Sequence, residues 1–207
     1  THCISSAASD VYKRQVDEAH FYLGSIAENE GDLEQALAEY RQAGRGYQFL
    51  PAQSRIAVIL AKQGLITEMR EHLDLKRREY PNFYEQLVFL EAQILSDRNY
   101  EEEVFQLLDG AVSANPDSLD LLYFRATKGQ RFGKMDILER DLRSIITKDP
   151  VNADALNALG YTLADLTDRH EEALALIQRA LRIKPNEPAF IDSLGWVLYR
   201  LKRFEEA

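Results

Sequence analysis

An all-α chain of stacked helical hairpins follows from three features of the sequence. Proline recurs at Pro81, Pro116, Pro150 and Pro185, in steps of 35, 34 and 35 residues. Between the prolines, apolar side chains return every three or four residues, which places them on one face of a helix. Each segment is also broken near its middle, at Gly31-Asp32, Gly64, Asp97 to Asn99, Gly133-Lys134, Asp168-Arg169 and Lys202. Two helices per unit at this period describe a helical solenoid, because one hairpin buries too little apolar surface to stand alone and stacks on its neighbours.

Units are expected at 17–49, 50–83, 84–118, 119–152, 153–187 and 188–207, the last incomplete, behind a leader of residues 1–15. In the first, Leu23, Ala27, Ala36, Tyr40 and Ala43 make the apolar stripes. The second ends on Pro81. Leu87, Leu90 and Ile94, then Val104, Leu108 and Ala111, mark the third, and Leu138, Leu142 and Ile145 the second helix of the fourth. The fifth is the most regular: Leu156, Leu159 and Leu163, then Ala173, Ile177 and Ala180, with Pro185 stopping the helix because its ring cannot continue one. Ile191, Leu194 and Leu198 open the sixth.

The leader is set apart by its origin. Ser5 to Gln15, SSAASDVYKRQ, reads as the translation of a DNA that resembles a transposase-based sequencing adaptor, so residues 1–15 are expected to be an artefact or a disordered tail. The single cysteine, Cys3, goes with it, and thiolate chemistry is then absent from the rest. Removing Asp10, Lys13 and Arg14 moves the formal charge from -9 to -10. This acidic balance argues against nucleic acid or an anionic membrane as the main partner and favours basic or neutral ones. No apolar run reaches the length needed to span a bilayer, so direct membrane insertion is not expected.

With these stripes in place the chain resembles the tetratricopeptide repeat family. The family pattern sets a large residue, Leu-Gly and a second large residue on the first helix, then a small residue and an aromatic or aliphatic one on the second. His20, Leu23-Gly24, Ala27, Ala36 and Tyr40 follow it in the first unit, and Leu156, Leu159-Gly160, Leu163, Ala173 and Ile177 in the fifth. Ile191, Leu194-Gly195 and Leu198 follow it in the sixth, where a second helix is expected to open at Phe204-Glu205-Glu206-Ala207. The middle departs. Met69 and Glu91 fall where small residues are wanted, one extra residue is expected near Asn99, and Arg125 and Gly129 occupy apolar places. The resemblance implies a right-handed superhelical solenoid of about five full repeats plus a truncated sixth.

Nothing in the residues points to catalysis. There is no glycine-rich phosphate loop and no pair of histidines at metal-ligand spacing. His170, Glu171 and Glu172 are chain neighbours that point in different directions and read as solvated helix-start residues. Glu101 to Glu103 likewise favour the positive end of a helix dipole. No catalytic residue, cofactor or metal is therefore expected.

Binding remains. The resemblance implies that first helices line a concave groove, and counting from Leu-Gly places Asn157, Tyr161, Ala164 and Asp165, then Asp192, Trp196, Tyr199 and Arg200, along it. Earlier units offer Phe21, Ser25 and Asn29, then Val58 and Lys62, then Tyr123, Thr127 and Arg131. Trp, Tyr and Arg dominate binding hot spots, so Tyr161, Trp196, Tyr199 and Arg200 are the leading candidates for peptide or protein contact. The alternative is that Trp196 and Tyr199 pack on a further repeat. The carboxylate clamp of chaperone-binding relatives is not implied, since Phe21, Ser25, Ser54, Val58 and Lys62 supply a single cation.

The segment from Asp154 onward is similar to the C-terminal repeats of multi-repeat proteins of the Gram-negative envelope, some of them outer-membrane lipoproteins that act as adaptors for a carboxyl-terminal processing protease. That implies a non-catalytic, periplasmic scaffold for protein or peptide partners, with a lipid anchor encoded upstream. Two alternatives stay open: the repeat region of a larger enzyme such as a glycosyltransferase, and a cytoplasmic regulatory or assembly scaffold.

Overall fold

The computed structural model describes residues 2–44 and 46–207, with side chains from Gln15 onward, so the expected leader lies outside the described side chains apart from Gln15. Among the described residues the chain is helical throughout: α1 (His2–Glu30), α2 (Leu33–Gln42), α3 (Phe49–Lys62), α4 (Ile66–Glu79), α5 (Tyr84–Asp97), α6 (Glu101–Ala114), α7 (Leu119–Arg131), α8 (Met135–Lys148), α9 (Ala153–Leu166), α10 (His170–Ile183) and α11 (Pro188–Arg200). A 3-10 turn, Pro81–Phe83, precedes α5. The chain divides into two compact units, residues 1–107 and 108–207.

The sequence breaks become one kind of turn. Gly31, Gly64, Asn99, Gly133 and Lys202 all have positive φ, and each starts the same closure, in which the next residue donates back five positions to the helix. Asp32 N donates to Ala27 O at 2.9 Å, Leu65 N to Leu60 O at 2.9 Å, Tyr100 N to Leu95 O at 3.0 Å, Lys134 N to Gly129 O at 2.7 Å and Arg203 N to Leu198 O at 2.9 Å. Asn99 takes φ 60 where the others mostly use glycine, because its short polar side chain tolerates the left-handed region. The link it occupies, Arg98–Tyr100, is no longer than the Gln63–Leu65 link at Gly64, so the extra residue expected near Asn99 is not there. The α9–α10 link differs: Thr167 is extended, with φ -140 and ψ 175, and its hydroxyl donates to Leu163 O at 2.6 Å.

The starts of α2, α7 and α9 are fixed by short polar side chains that satisfy free backbone amides. Asp32 accepts from Gln35 N at 2.9 Å, Ser118 from Leu121 N at 3.2 Å and Asn152 from Ala155 N at 3.0 Å.

In the first unit, α1 packs on α2, α2 on α3, α3 on α4, and α5 on both α3 and α4. Gly24 lies under the Tyr40 ring so closely that a Cβ would fall 2.7 Å from it. Tyr40 in turn donates to Glu28 at 2.9 Å, and Arg55 of α3 donates to the same carboxylate at 2.8 Å. Although burial opposes it, these hydrogen bonds hold Glu28 below the ordinary carboxylate range. Leu23, expected in the core, is instead half exposed, on a face of α1 shared with exposed Tyr22 and Ile26.

In the second unit, α7 pairs with α8, α8 meets α9, and α10 and α11 pack on α9 and on each other. Gly160 closes the α9–α10 crossing, where a Cβ would sit 2.7 Å from Ile177 Cγ1 and 3.0 Å from Ala173 O. At Gly195, the corresponding place on α11, a Cβ would meet nothing within 4 Å. Residues after Arg200 form turns and not the start of a helix, and Ile191, expected in the core, is 52% exposed while its neighbour Phe190 is buried.

The irregular middle places turn out to be buried ion pairs. Glu91 on α5 is 1% exposed and accepts from Arg77 at 2.6 Å and Arg70 at 3.0 Å, both on α4. Arg125 on α7 donates to Asp141 of α8 at 2.7 and 2.8 Å and to Asp109 of α6 at 2.7 Å. A guanidinium spread over two carboxylates satisfies its fork of donors, which is what burial of a charge demands.

Candidate groove on the first helices of the second unit

The α7, α9 and α11 helices carry the candidate side chains of the second unit. Two concavities adjoin at Tyr161. One, of about 120 Å³, is lined by Tyr123, Thr127 and Gln130 of α7, Leu138 and Leu142 of α8, and Asn157, Tyr161 and Thr162 of α9. The other, of about 520 Å³, is lined by Tyr161, Asp165, Asp192, Gly195, Trp196 and Tyr199. Tyr161 and Tyr123 are each 36% exposed, so both present a ring to solvent from a helix that is otherwise packed. Burial, with Asp154 nearby, raises the Tyr123 phenol, which therefore stays a neutral hydroxyl at ordinary pH.

The aromatic wall is built along α11 by helical spacing. Trp196 and Tyr199 stack with ring centres 5.6 Å apart and planes 17° from parallel, and Tyr199 also meets Phe204 at 5.6 Å. One turn on from Trp196, the Arg200 guanidinium lies 5.8 Å from that ring's centre and donates to Asp165 O at 2.9 Å. Arg200 thereby ties α11 to the end of α9.

Several polar groups of this surface lack partners. Trp196 Nε1 and Asn157 Oδ1 are buried atoms with no hydrogen bond among the described residues. The carboxylates of Asp165 and Asp192 make no hydrogen bond or ion pair among the described residues. Six other carboxylates described in this unit, Asp109, Asp117, Glu139, Asp141, Asp154 and Glu172, are in ion pairs, while Asp120, Asp136 and Asp168 are unpaired like Asp165 and Asp192.

The structure thus gathers Tyr123, Asn157, Tyr161, Asp165, Asp192, Trp196 and Tyr199 around two adjoining concavities, with Arg200 buttressing them. Arg131 lines neither; it is exposed at the end of α7, with its guanidinium 6.0 Å from the Phe132 ring. Gln130, seven residues on from Tyr123 and so on nearly the same face of α7, lines the first concavity in its place. In the first unit, Phe21 is partly buried with its ring 5.6 Å from that of Tyr40, and Lys62 is exposed at the end of α3. Among the described residues no group of His, Cys, Asp and Glu could hold a metal ion, and no helix is long and apolar enough to cross a membrane.

A family model described as tetratricopeptide repeat matches residues 6–51 and 139–188. The matched segments follow the tetratricopeptide repeat, and the chain has the solenoid fold of such repeats. The TPR repeat-containing protein PA4667 of Pseudomonas aeruginosa is 43% identical over 192 residues, which is 93% of this chain and 32% of that protein. The chain therefore spans about a third of its curated relative. Among solved structures, YrrB, described as a TPR protein with an unusual peptide-binding site, superposes with a TM-score of 0.53 at 18% identity, over 91% of this chain and 96% of that one. The thermophilic TPR protein TTC0263 of Thermus thermophilus gives 0.55 at 20% identity, over 88% and 99%. At such identities the likeness shows the fold alone. Tetratricopeptide repeats are generally protein-interaction scaffolds and typically non-catalytic.

Proposed function

We propose that the chain is a non-catalytic interaction module whose partner, a peptide or protein segment, lies across α7, α9 and α11. The observation that carries this reading is the run of adjoining concavities from Tyr123 to Tyr199, lined by aromatic rings and polar side chains of three successive first helices. The aromatic rings supply contact area at small entropic cost, and Trp and Tyr are the residues most enriched at binding hot spots. The peptide-binding site named for YrrB fits the same reading.

The finer proposal is an envelope adaptor that presents substrates to a carboxyl-terminal processing protease, held at the membrane by a lipid anchor. It rests on the likeness of the segment from Asp154 onward and on the greater length of the P. aeruginosa relative. That same greater length also favours a second reading, in which these repeats serve a larger protein with further domains. A signal peptide with a lipoprotein cysteine in the upstream coding sequence supports the envelope reading, and its absence removes it. For the groove itself, partners captured by the wild-type chain are titrated against Trp196→Ala and Tyr161→Ala. A loss of about tenfold or more in affinity is expected at a hot-spot aromatic. Unchanged affinity of every partner for both variants would overturn the groove assignment.

A further inference from the structure

The chemistry of the larger concavity narrows the partner. Two carboxylates, Asp165 and Asp192, line it from two successive first helices with no partner of their own among the described residues. The wall between them is aromatic: Tyr161 on one side, the stacked Trp196 and Tyr199 on the other. Carboxylates recognise cations, and the faces of indole and phenol rings attract them too. The Trp196 ring already does so within the chain, since Arg200 lies against it. Arg200 is the cation that could neutralise the pocket, but its guanidinium is directed at the Asp165 carbonyl oxygen. Two carboxylates against one guanidinium leave the concavity net negative.

We infer that this concavity is a subsite for a lysine or arginine side chain of a bound polypeptide, the cation lying between Asp165 and Asp192 and its methylene stem along Trp196 and Tyr199. This inference rests on the groove reading above and adds the identity of the side chain. The long apolar stem with a charged tip is what distinguishes such a guest from a free metal or small ammonium ion, and the concavity offers a surface for each part. Its volume of about 520 Å³ also exceeds what a single ion needs. The acidic balance of the whole chain, formally -9, steers a basic segment toward it.

The test is selection of random twelve-residue peptides displayed on phage against the immobilised full chain, run in parallel on wild type, the double variant Asp165→Asn/Asp192→Asn, Trp196→Ala, and Asp136→Asn as a carboxylate control outside the concavity. Wild type and Asp136→Asn are expected to enrich peptides carrying Lys or Arg beside apolar residues. The double variant is expected to lose the Lys and Arg bias, and synthetic copies of the wild-type winners to bind it at least about tenfold more weakly. The same peptides weaken several-fold as sodium chloride is raised, because the contact is partly screened. Enriched peptides without a Lys or Arg bias, or a bias that survives in the double variant, overturn the cation subsite and leave the groove standing. Failure of wild type to enrich any peptide that Trp196→Ala loses overturns the groove reading and this inference with it.

Discussion

Hairpins α7–α8 and α9–α10 hold the same kind of crossing by opposite means. In α9–α10, whose first helix starts 34 residues after that of α7–α8, the crossing falls at Gly160, and the helices approach until Ala173 O would lie 3.0 Å from any Cβ put there. In α7–α8 that place is Ala126, and its neighbour Arg125 is held between Asp141 and Asp109. The close approach has not vanished. It has slid one turn to Gly129, where a Cβ would meet Lys134 O at 3.0 Å and Leu138 N at 3.2 Å. Both hairpins keep one point of close backbone approach, and it lies a turn further along in the hairpin that buries an ion pair.

The largest expected effect separates the two solutions. Arg125→Ala leaves buried Asp141 with Arg140, at 3.1 Å, as its one remaining cation and is expected to cost about 3 kcal/mol in urea denaturation, whereas the volume-matched double replacement Arg125→Met/Asp141→Leu leaves stability near wild type. If the single and double variants lose equal stability, the ion pair is not what holds α7 to α8.

Acid sharpens the contrast between units. Burial, with Lys76 and Arg41 adding to it, pushes the His72 imidazole down to about 4, and its Nε2 lies 2.7 Å from Gln53 Oε1 on α3. The unfolded chain takes up this proton near pH 6.5, so stability is fully present above that value and is lost as pH falls toward 4, by up to roughly 3 kcal/mol. In the second unit, hydrogen bonds from Arg169 and Arg143 hold Glu139 down to about 2, so its contribution is lost only as pH falls through 4.5 toward 2. Between pH 7 and 5, hydrogen-exchange protection is expected to fall in α3–α4 while α8–α10 holds, and His72→Gln is expected to flatten the first response.

Glycine at the crossing gives the next effect down. Gly160→Ala is expected to destabilise by about 1 to 3 kcal/mol, because backbone as well as the Ile177 side chain must move. Smallest of all, Gly195→Ala is expected to stabilise α11 by up to about 1 kcal/mol, since the new methyl meets nothing and alanine is the better helix former. Thermal melts of the two variants moving in the same direction would show that the two glycines do not differ as described.

Much of the groove was legible in the sequence because helical spacing is nearly rigid. Once Leu159-Gly160 and Leu194-Gly195 set the phase, Asn157, Tyr161, Asp192 and Trp196 followed by counting, and the structure places them on the concavities. Arg131 shows the limit: the spacing that puts Asp165 on the surface of α9 leaves Arg131 outside both concavities, and Gln130 lines the first in its place.

Periodicity by itself determined the helices, their breaks and the pairing of neighbours, since each depends on residues close in the chain. Tertiary structure alone decided that Glu91 and Arg125 could be buried, because their partners Arg77, Asp109 and Asp141 stand 14 to 16 residues away. It alone decided that Leu23 and Ile191 stay exposed, because burial requires a second helix on that face and the side chain cannot specify one. A repeat motif fixes which way a side chain points, while what it meets there is set by whatever packs alongside.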